Sequence, residues 1–387
     1  MNNSGGMRSL LGNLGVLALI AVGFSFVLNQ PTPTPGPQIV ANESATTTAQ
    51  TAAAAVTATS TKTAAHATST KAVKKPTVAT TTTAEEPSNP NQVNRIANPY
   101  PFAPLPSSDV NTAARGALVN ILCMPRGGSL SPISGSGVII DPRGVILTNA
   151  HVAQYVLLSQ DPRVNLSCVV RTGGPATARW IPQVLYMPTA WVNLHVNEIL
   201  NPRPTGTGEH DYALLVITDS VNSTPLPTTF PYLPYDTRDA IGFQGDQVLA
   251  ASYPAEFLGG IVAEYSLFPA SSVATIGDLI TFGTNSVDLL SLGGIIEAQS
   301  GSSGGAVVNP WGRLIALIST TSEGTTTSQR DLHALTLSYI NRDLTTQSGH
   351  DLSNILAGDV IAEAQDFALH TAPGLLDLYI KQISKAH

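Results

Sequence analysis

Charge is scarce in this chain of 387 residues: 12% are Asp, Glu, Lys or Arg, 6% are aromatic, and only two are cysteine. Its 19 basic residues stand against 26 acidic ones, and a net charge of -7 excludes the dense basic stripe that a nucleic-acid surface needs. The clusters Lys71, Lys74, Lys75 and Glu85, Glu86 are too sparse to alter that and read as solvated charges. His195, His210, His333, His350 and His370 lack the paired spacing of metal ligands, and no phosphate-binding loop or nucleotide motif is present, so no metal and no cofactor are expected. What the chain has in quantity is apolar: 43% hydrophobic residues, enough for one large core or two small ones.

That apolar content is unevenly spread. Residues 9 to 28, "SLLGNLGVLALIAVGFSFVL", are uncharged and long enough to cross a bilayer as a helix. Arg8 and the amino terminus precede them and no charge follows until Glu43, which favours a short cytoplasmic stub (1–8), a transmembrane signal-anchor (9–29) contacting lipid, and everything downstream outside the cytoplasm, on the cell-envelope or extracellular side. A cleaved signal peptide is the alternative; the length of the run and the lack of an Ala-x-Ala site in "FSFVLNQ" count against it. Residues 30–107 read as a disordered Pro/Ala/Thr linker, with "QPTPTPGP" stiff, the Ala/Thr tracts flexible, and Tyr100 and Phe102 their only aromatics. Cys123 and Cys168 both fall in apolar, strand-like runs; an even count outside the cytoplasm predicts one disulfide between them, two buried thiols being the alternative.

From residue 108 the texture changes to short β-rich runs broken by Gly, Pro, Asn and Asp. Six are expected at 117–124, 135–141, 144–150, 164–172, 178–187 and 211–218, and six more at 246–254, 265–276, 288–296, 304–309, 313–321 and 333–340. The pattern predicts an all-β fold of two six-stranded antiparallel β-barrels in a domain spanning 108–345, with a Pro-rich connection over 219–245. Helical periodicity of useful length appears only in "DLSNILAGDVIAEAQDFALH" and "GLLDLYIKQISKA", a C-terminal helical extension over 346–387 with Pro373 near the start of its second helix.

Three residues stand out on that framework. His151 ends the run "GVILTNAHV", Asp211 opens the run "EHDYALLVI", and Ser303 sits among glycines in "QSGSSGGAVVNPWGRLIALIS". Singly each has a bland explanation: a structural histidine, a strand-capping aspartate, a flexible Gly-Ser turn. Together they supply what acyl transfer requires. A serine hydroxyl is a poor nucleophile near neutral pH, so it needs a base to take its proton and a third group to hold that base in one tautomer. The backbone N–H groups of Gly301 and Ser303 would form an oxyanion hole.

The chain resembles trypsin-like serine proteases of the chymotrypsin fold, closest to the bacterial HtrA/Deg type. The resemblance rests on "SGSGVIIDPRGVILTNAHV", "DYALLVI", "GSSGGAVVNPWGRLIAL" and, more loosely, "GDQVLAASYPAEF", and covers roughly residues 110–340. It implies that His151 and Asp211 come from the first barrel and Ser303 from the second, meeting in the cleft between them, and that polypeptides are the substrates. The expected activity is a serine endopeptidase of envelope protein quality control or processing; oligomeric state is left open.

Departures from the family pattern are informative. Ser302 precedes the nucleophile where digestive relatives carry an aspartate that pairs with a newly cut amino terminus, so activation by that ion pair is not expected. Too few residues follow the last strand for the PDZ domain of many Deg-type relatives. The family's primary-pocket marker lies six residues before the nucleophile, at Glu297, and a buried glutamate there would select a basic side chain; Deg-type relatives often have a small apolar pocket instead, and a loop out of register would turn Glu297 to solvent. The run "IALISTTS", with Ser319 and Thr320, offers a backbone edge on which an extended substrate pairs as an added strand.

Two other readings compete. "GSSGG" also fits the nucleophile elbow of α/β-hydrolase esterases, but that fold needs a helix after the serine, with the acid and histidine following it, and here two strand-like runs follow while His151 and Asp211 precede. The second is a catalytically inactive binding module on a membrane stalk.

Overall fold

The computed structural model describes residues 95–96, 98–201, 206–283 and 285–386. The apolar run at 9–29 and the linker up to residue 94 lie outside the described residues, and among the latter no helix is long and apolar enough to cross a membrane.

Helix α1 (Ser107–Ala117) leads into β1 (Leu118–Pro125), β2 (Ile133–Asp141) and β3 (Val145–Thr148). Helix α2 (Ala150–Ser159) follows, then β4 (Leu166–Thr172), β5 (Thr177–Tyr186), helix α3 (Thr189–His195) and β6 (Ala213–Ser220). The six strands close into a barrel in the order β1-β2-β3-β6-β5-β4, as expected. The disulfide is present too: Cys123 and Cys168 face each other directly across the β1–β4 pair.

Val119, Ile121, Ile139, Ile146, Val170, Val184 and Leu215 fill the barrel's interior. The alternate residues Leu118, Val138, Leu147 and Leu214 point outward, yet are equally buried against Ala251, Tyr253, Ala306, Leu317 and Leu335 of the second half. Burial of both faces explains why β2, β3 and β6 read as continuous apolar runs rather than alternating ones.

The second half differs from the expected six-stranded barrel. Strands β7 (Gln247–Ser252), β8 (Ala270–Thr275), β9 (Leu279–Ile280), β10 (Leu289–Ser291), β11 (Ala306–Val308), β12 (Leu314–Thr321) and β13 (Leu332–Thr336) form a seven-stranded sheet in the order β8-β7-β11-β12-β13-β10-β9. Its end strands β8 and β9 are not hydrogen-bonded to each other, so the sheet does not close. Three local causes shorten the expected strands. Residues 260–265 form helix α4 (Gly260–Tyr265), and Pro269, with no N–H to give, delays β8 to Ala270. Strand β10 stops at Ser291, before the left-handed Gly293. Strand β13 ends at Thr336 because its hydroxyl accepts from the Tyr339 N–H and caps helix α5 (Leu337–Ser348).

Helices α6 (Leu352–Ala357), α7 (Val360–Asp366) and α8 (Ala372–Ile383) close the chain, with one π-turn over Phe367–Thr371 and a proline in the first turn of α8. They are not an appendage: Phe367, Leu375, Leu376 and Tyr379 enter the same core as the first barrel and α2.

The linker boundary expected at 107 is also displaced. Tyr100 donates to Asp236 (2.6 Å) and accepts from Asn309 (3.0 Å), Trp311 Nε1 donates to Phe102 O (2.9 Å), and the guanidiniums of Arg238 and Arg313 lie over the Tyr100 ring. Two aromatics in an otherwise low-complexity tract are what let its last residues bury surface and hold to the second sheet.

Candidate active site

His151 lies in the first turn of α2, not at a strand end. The position N-terminal to that helix is Asn149, whose amide donates to the Asp211 carbonyl (2.7 Å) rather than capping its own helix. The cap comes instead from outside: Asp211 Oδ1 accepts the His151 N–H at 3.0 Å, a carboxylate at a helix N-terminus, where the helix dipole favours negative charge. Asp211 Oδ2 then accepts from His151 Nδ1 (2.8 Å) and from Ser319 Oγ (2.9 Å). Asp211 is thus buried with three donors on its carboxylate, and sequence reasoning, which placed Ser319 with the substrate, missed this role for its hydroxyl.

The electrostatics follow from that geometry. Burial opposes charge on Asp211, but the His151 ring and the hydrogen bonds outweigh it and hold the carboxyl below its ordinary range. Burial likewise opposes protonation of His151, yet the adjacent Asp211 carboxylate prevails and raises the imidazole above its ordinary value. With Nδ1 facing Asp211, Nε2 is left to face the cleft, as a base for a serine proton requires.

Ser303 approaches from the second half in the loop before β11. Its hydroxyl lies 3.3 Å from the Ser319 carbonyl and makes no hydrogen bond to His151. The loop is pinned to the first barrel by one residue of β2: the Ser136 N–H donates to Ser303 O (2.7 Å), and Ser136 Oγ donates to Gly301 O (2.7 Å) while accepting the Tyr253 N–H (2.9 Å). The contact is so close that a Cβ on Gly304 would sit 2.0 Å from Ser136 O, which is why glycine follows the serine. Ser302 is buried and accepts from Ser252 Oγ (2.9 Å), a neutral contact where an ion pair would need an aspartate.

Two backbone donors complete the arrangement. The Ser300 carbonyl accepts the Ala255 N–H at 2.9 Å. In a trans peptide the following N–H points the opposite way, so Gly301 N–H is directed away from residue 255. Neither it nor the Ser303 N–H has an acceptor within the described protein. Gly301 has φ +95°, and a Cβ there would meet Tyr253 O at 2.7 Å, so this turn is open to glycine alone.

His151, Asp211, Gly301, Ser303, Ser319 and Thr320 all line one cleft of about 500 Å³. Trp191 and His195 of α3, stacked on each other, form another part of its wall together with Glu198, so the long segment between β5 and β6 borders the cleft. Glu297 does not line it. Its side chain is buried elsewhere, accepting from Ser272 Oγ of β8 (3.1 Å), so the expectation that it reads a basic substrate side chain is not met: the turn over Ile295–Ala298 directs it into the sheet interior.

Residues 135–317 match the trypsin-like peptidase domain family. The chain carries a trypsin-like serine protease domain. Ser303 is followed by strand β11 and not by a helix, so the nucleophile elbow of an esterase is absent. No curated protein sequence matches the protease. Among solved structures, it is similar to a serine endoprotease from Yersinia pestis (20% identity, TM-score 0.39, covering 64% of this chain and 70% of that one). It is likewise similar to an inactive mutant form of a protein from M. tuberculosis (18% identity, TM-score 0.38, covering 64% and 96%).

Proposed function

We propose that the protease is a serine endopeptidase in which Ser303 is the nucleophile, His151 the general base and then general acid, and Asp211 the group that orients His151 and stabilises the imidazolium it becomes. The observation that carries this reading is the His151–Asp211 pair at 2.8 Å opening onto the same cleft as Ser303 and two unengaged N–H groups. In the first half-reaction, Ser303 Oγ attacks a peptide carbonyl while Nε2 of His151 takes its proton. The developing oxyanion accepts from the Gly301 and Ser303 N–H groups, and His151 returns the proton to the leaving amine. Water, deprotonated by the same imidazole, then hydrolyses the acyl-enzyme.

The substrate is an extended polypeptide lying along the last residues of β12, Ser319 and Thr320, which run past that strand's pairing with β11. No lysine or arginine lines the cleft among the described residues, and its carboxylates are Asp211, which His151 engages, and Glu198 beside α3; Gln299, Ser300, Ser319, Thr320 and Thr321 are all uncharged. A small uncharged side chain before the scissile bond suits that lining better than a basic one. Residues 9–29 would tether the enzyme with its catalytic part outside the cytoplasm, a placement supported by the Cys123–Cys168 disulfide, which persists in oxidising compartments. Protein quality control or processing at the envelope is the corresponding role.

The inactive stalked binding module draws on one specific observation, the Ser303 hydroxyl resting on Ser319 O instead of His151. Labelling the full-length protein with a fluorophosphonate separates the two. An adduct mapped to Ser303 and lost in His151→Ala and Ser303→Ala supports the peptidase; a folded protein that takes no label supports the binding module.

A further inference from the structure

Glu256 follows β7, and Arg330 lies 74 residues later, just before β13. Arg330 grips Glu256 with two parallel bonds, Nη1 to Oε2 at 2.6 Å and Nη2 to Oε1 at 2.8 Å. The same guanidinium donates to Ala298 O (2.9 Å) and to Gly324 O (2.9 Å), and its carbon lies 5.8 Å from the centre of the Phe257 ring. Its side chain is only 12% exposed. Three loops thereby meet at one cation: 254–257, 298–300 and 324–330.

What Glu256 does with its second lone pair links this cluster to the chemistry. Its Oε2 accepts the Ser300 N–H at 3.1 Å, while the neighbouring Ala255 N–H holds the Ser300 carbonyl at 2.9 Å. Both peptide groups flanking Ser300 are therefore fixed, and the second of them carries the Gly301 N–H. Rotation of that one peptide would withdraw a donor from the oxyanion position and aim the Ser300 carbonyl at it instead. At Ser302, where an acid would anchor this loop by charge, there is only a neutral contact with Ser252.

We propose that Glu256 and Arg330 are positioning residues that hold the Ser300–Gly301 peptide in the orientation that presents the Gly301 N–H to the oxyanion. The proposal rests on the peptidase reading above and deepens it. Because the peptide's orientation matters to the tetrahedral oxyanion and not to strand pairing along β12, its loss acts on the chemical step and leaves substrate binding alone.

The test uses the full-length protein with Glu256→Ala, Arg330→Ala, the double variant, and the milder pair Glu256→Gln and Arg330→Lys. For each, kcat and KM are measured on one peptide substrate, together with the affinity for a peptide boronate, whose tetrahedral adduct on Ser303 imitates the oxyanion. Each alanine variant is expected to lower kcat by about tenfold or more with KM within about twofold of native, and boronate affinity should fall in step. The double variant should be no worse than the worse single one, since the two act as a unit. Arg330→Lys, which keeps charge but not the paired bonds, should fall between native and Arg330→Ala. If the alanine variants do not fold, Glu256→Gln and Arg330→Lys carry the same comparison. Variants with native thermal midpoints whose kcat and boronate affinity stay within about twofold of native overturn the proposal, as does a rise in KM alone. A native chain that neither cleaves peptides nor binds the boronate overturns the peptidase reading, and this inference with it.

Discussion

Asp211 Oδ1 accepts the backbone N–H of His151 at 3.0 Å while Oδ2 of the same carboxylate accepts the imidazole Nδ1 at 2.8 Å. One side chain therefore caps the helix that carries the histidine and orients the histidine's ring, so the first turn of α2 and the tautomer of that ring depend on a residue 60 positions away.

This double contact makes a prediction about pH. Catalysis needs neutral His151, so kcat/KM should rise with pH through a value above 6.5, the side chain's ordinary pKa. In Asp211→Asn the negative charge is gone and burial dominates, so the midpoint should move down. The maximal kcat should fall by about 10⁴-fold, the size of effect that loss of this carboxylate has in Ser-His-Asp enzymes. A pH–rate profile of both proteins is the measurement; an unmoved midpoint would contradict the assigned pairing.

Glu297 makes a prediction about stability. Burial pushes its carboxyl up from the ordinary value, and Oε2 has no partner among the described residues. A raised folded-state pKa means the folded protein binds the proton more tightly than the unfolded chain, so this group's contribution worsens as pH rises from about 4.5 through the folded value. Glu297→Gln should match or exceed the native thermal midpoint at pH 8 and lose that advantage near pH 4.5, with no change in preference at the residue before the cut. A shift of that preference would return Glu297 to the pocket.

The Cys123–Cys168 bridge closes a 45-residue separation between neighbouring barrel strands, and neither residue lines the cleft. Replacing both by serine should destabilise the domain by about 2–4 kcal/mol. Activity at low temperature should be nearly unchanged, because the cleft is shaped by other strands. Chemical denaturation and kcat/KM on the same preparation test both halves.

Beside Asp211, His210 adopts a left-handed backbone (φ 59°), with its N–H on the Tyr339 hydroxyl (2.9 Å) and Nδ1 2.9 Å from Asp343 of α5. Gln347 braces the same carboxylate, and Glu209 stands 3.9 Å from Nε2. The Asp343 hydrogen bond raises the His210 pKa, so the pair's stabilising contribution is complete below about 6.5 and fades as pH climbs through the raised value. Asp343→Asn should therefore lower the thermal midpoint most at acidic pH and progressively less above neutrality; a difference that grows with pH would refute this.

The legible features share a physical character. His151, Asp211 and Ser303 were readable because their flanks combine apolar strand runs with turn residues in a fixed order, and Gly301 and Gly304 because backbone crowding there tolerates nothing larger. Strands β2, β3 and β6 of the first barrel were readable for a related reason, their both-sided burial having written continuous apolar runs. Helices α2 and α3 were not: α2 is buried on nearly all sides and so lacks amphipathic periodicity, while α3 is only seven residues long. Asn149 and Ser136 escaped notice because a buried amide or hydroxyl in a sequence looks like any other until its partner is known.

Local chemistry along the chain singled out the residues proposed to carry the reaction and showed that the domain is built on β-strands. Only the tertiary structure decided that the second sheet stays open, that Tyr100 ties the linker's end to that sheet, that Ser319 serves Asp211, and that Glu297 turns inward while Glu256 and Arg330 reach the loop before Ser303. Those outcomes are contacts between segments distant in sequence, selected by packing and by the need of each buried polar group for a partner, and no short-range pattern encodes them.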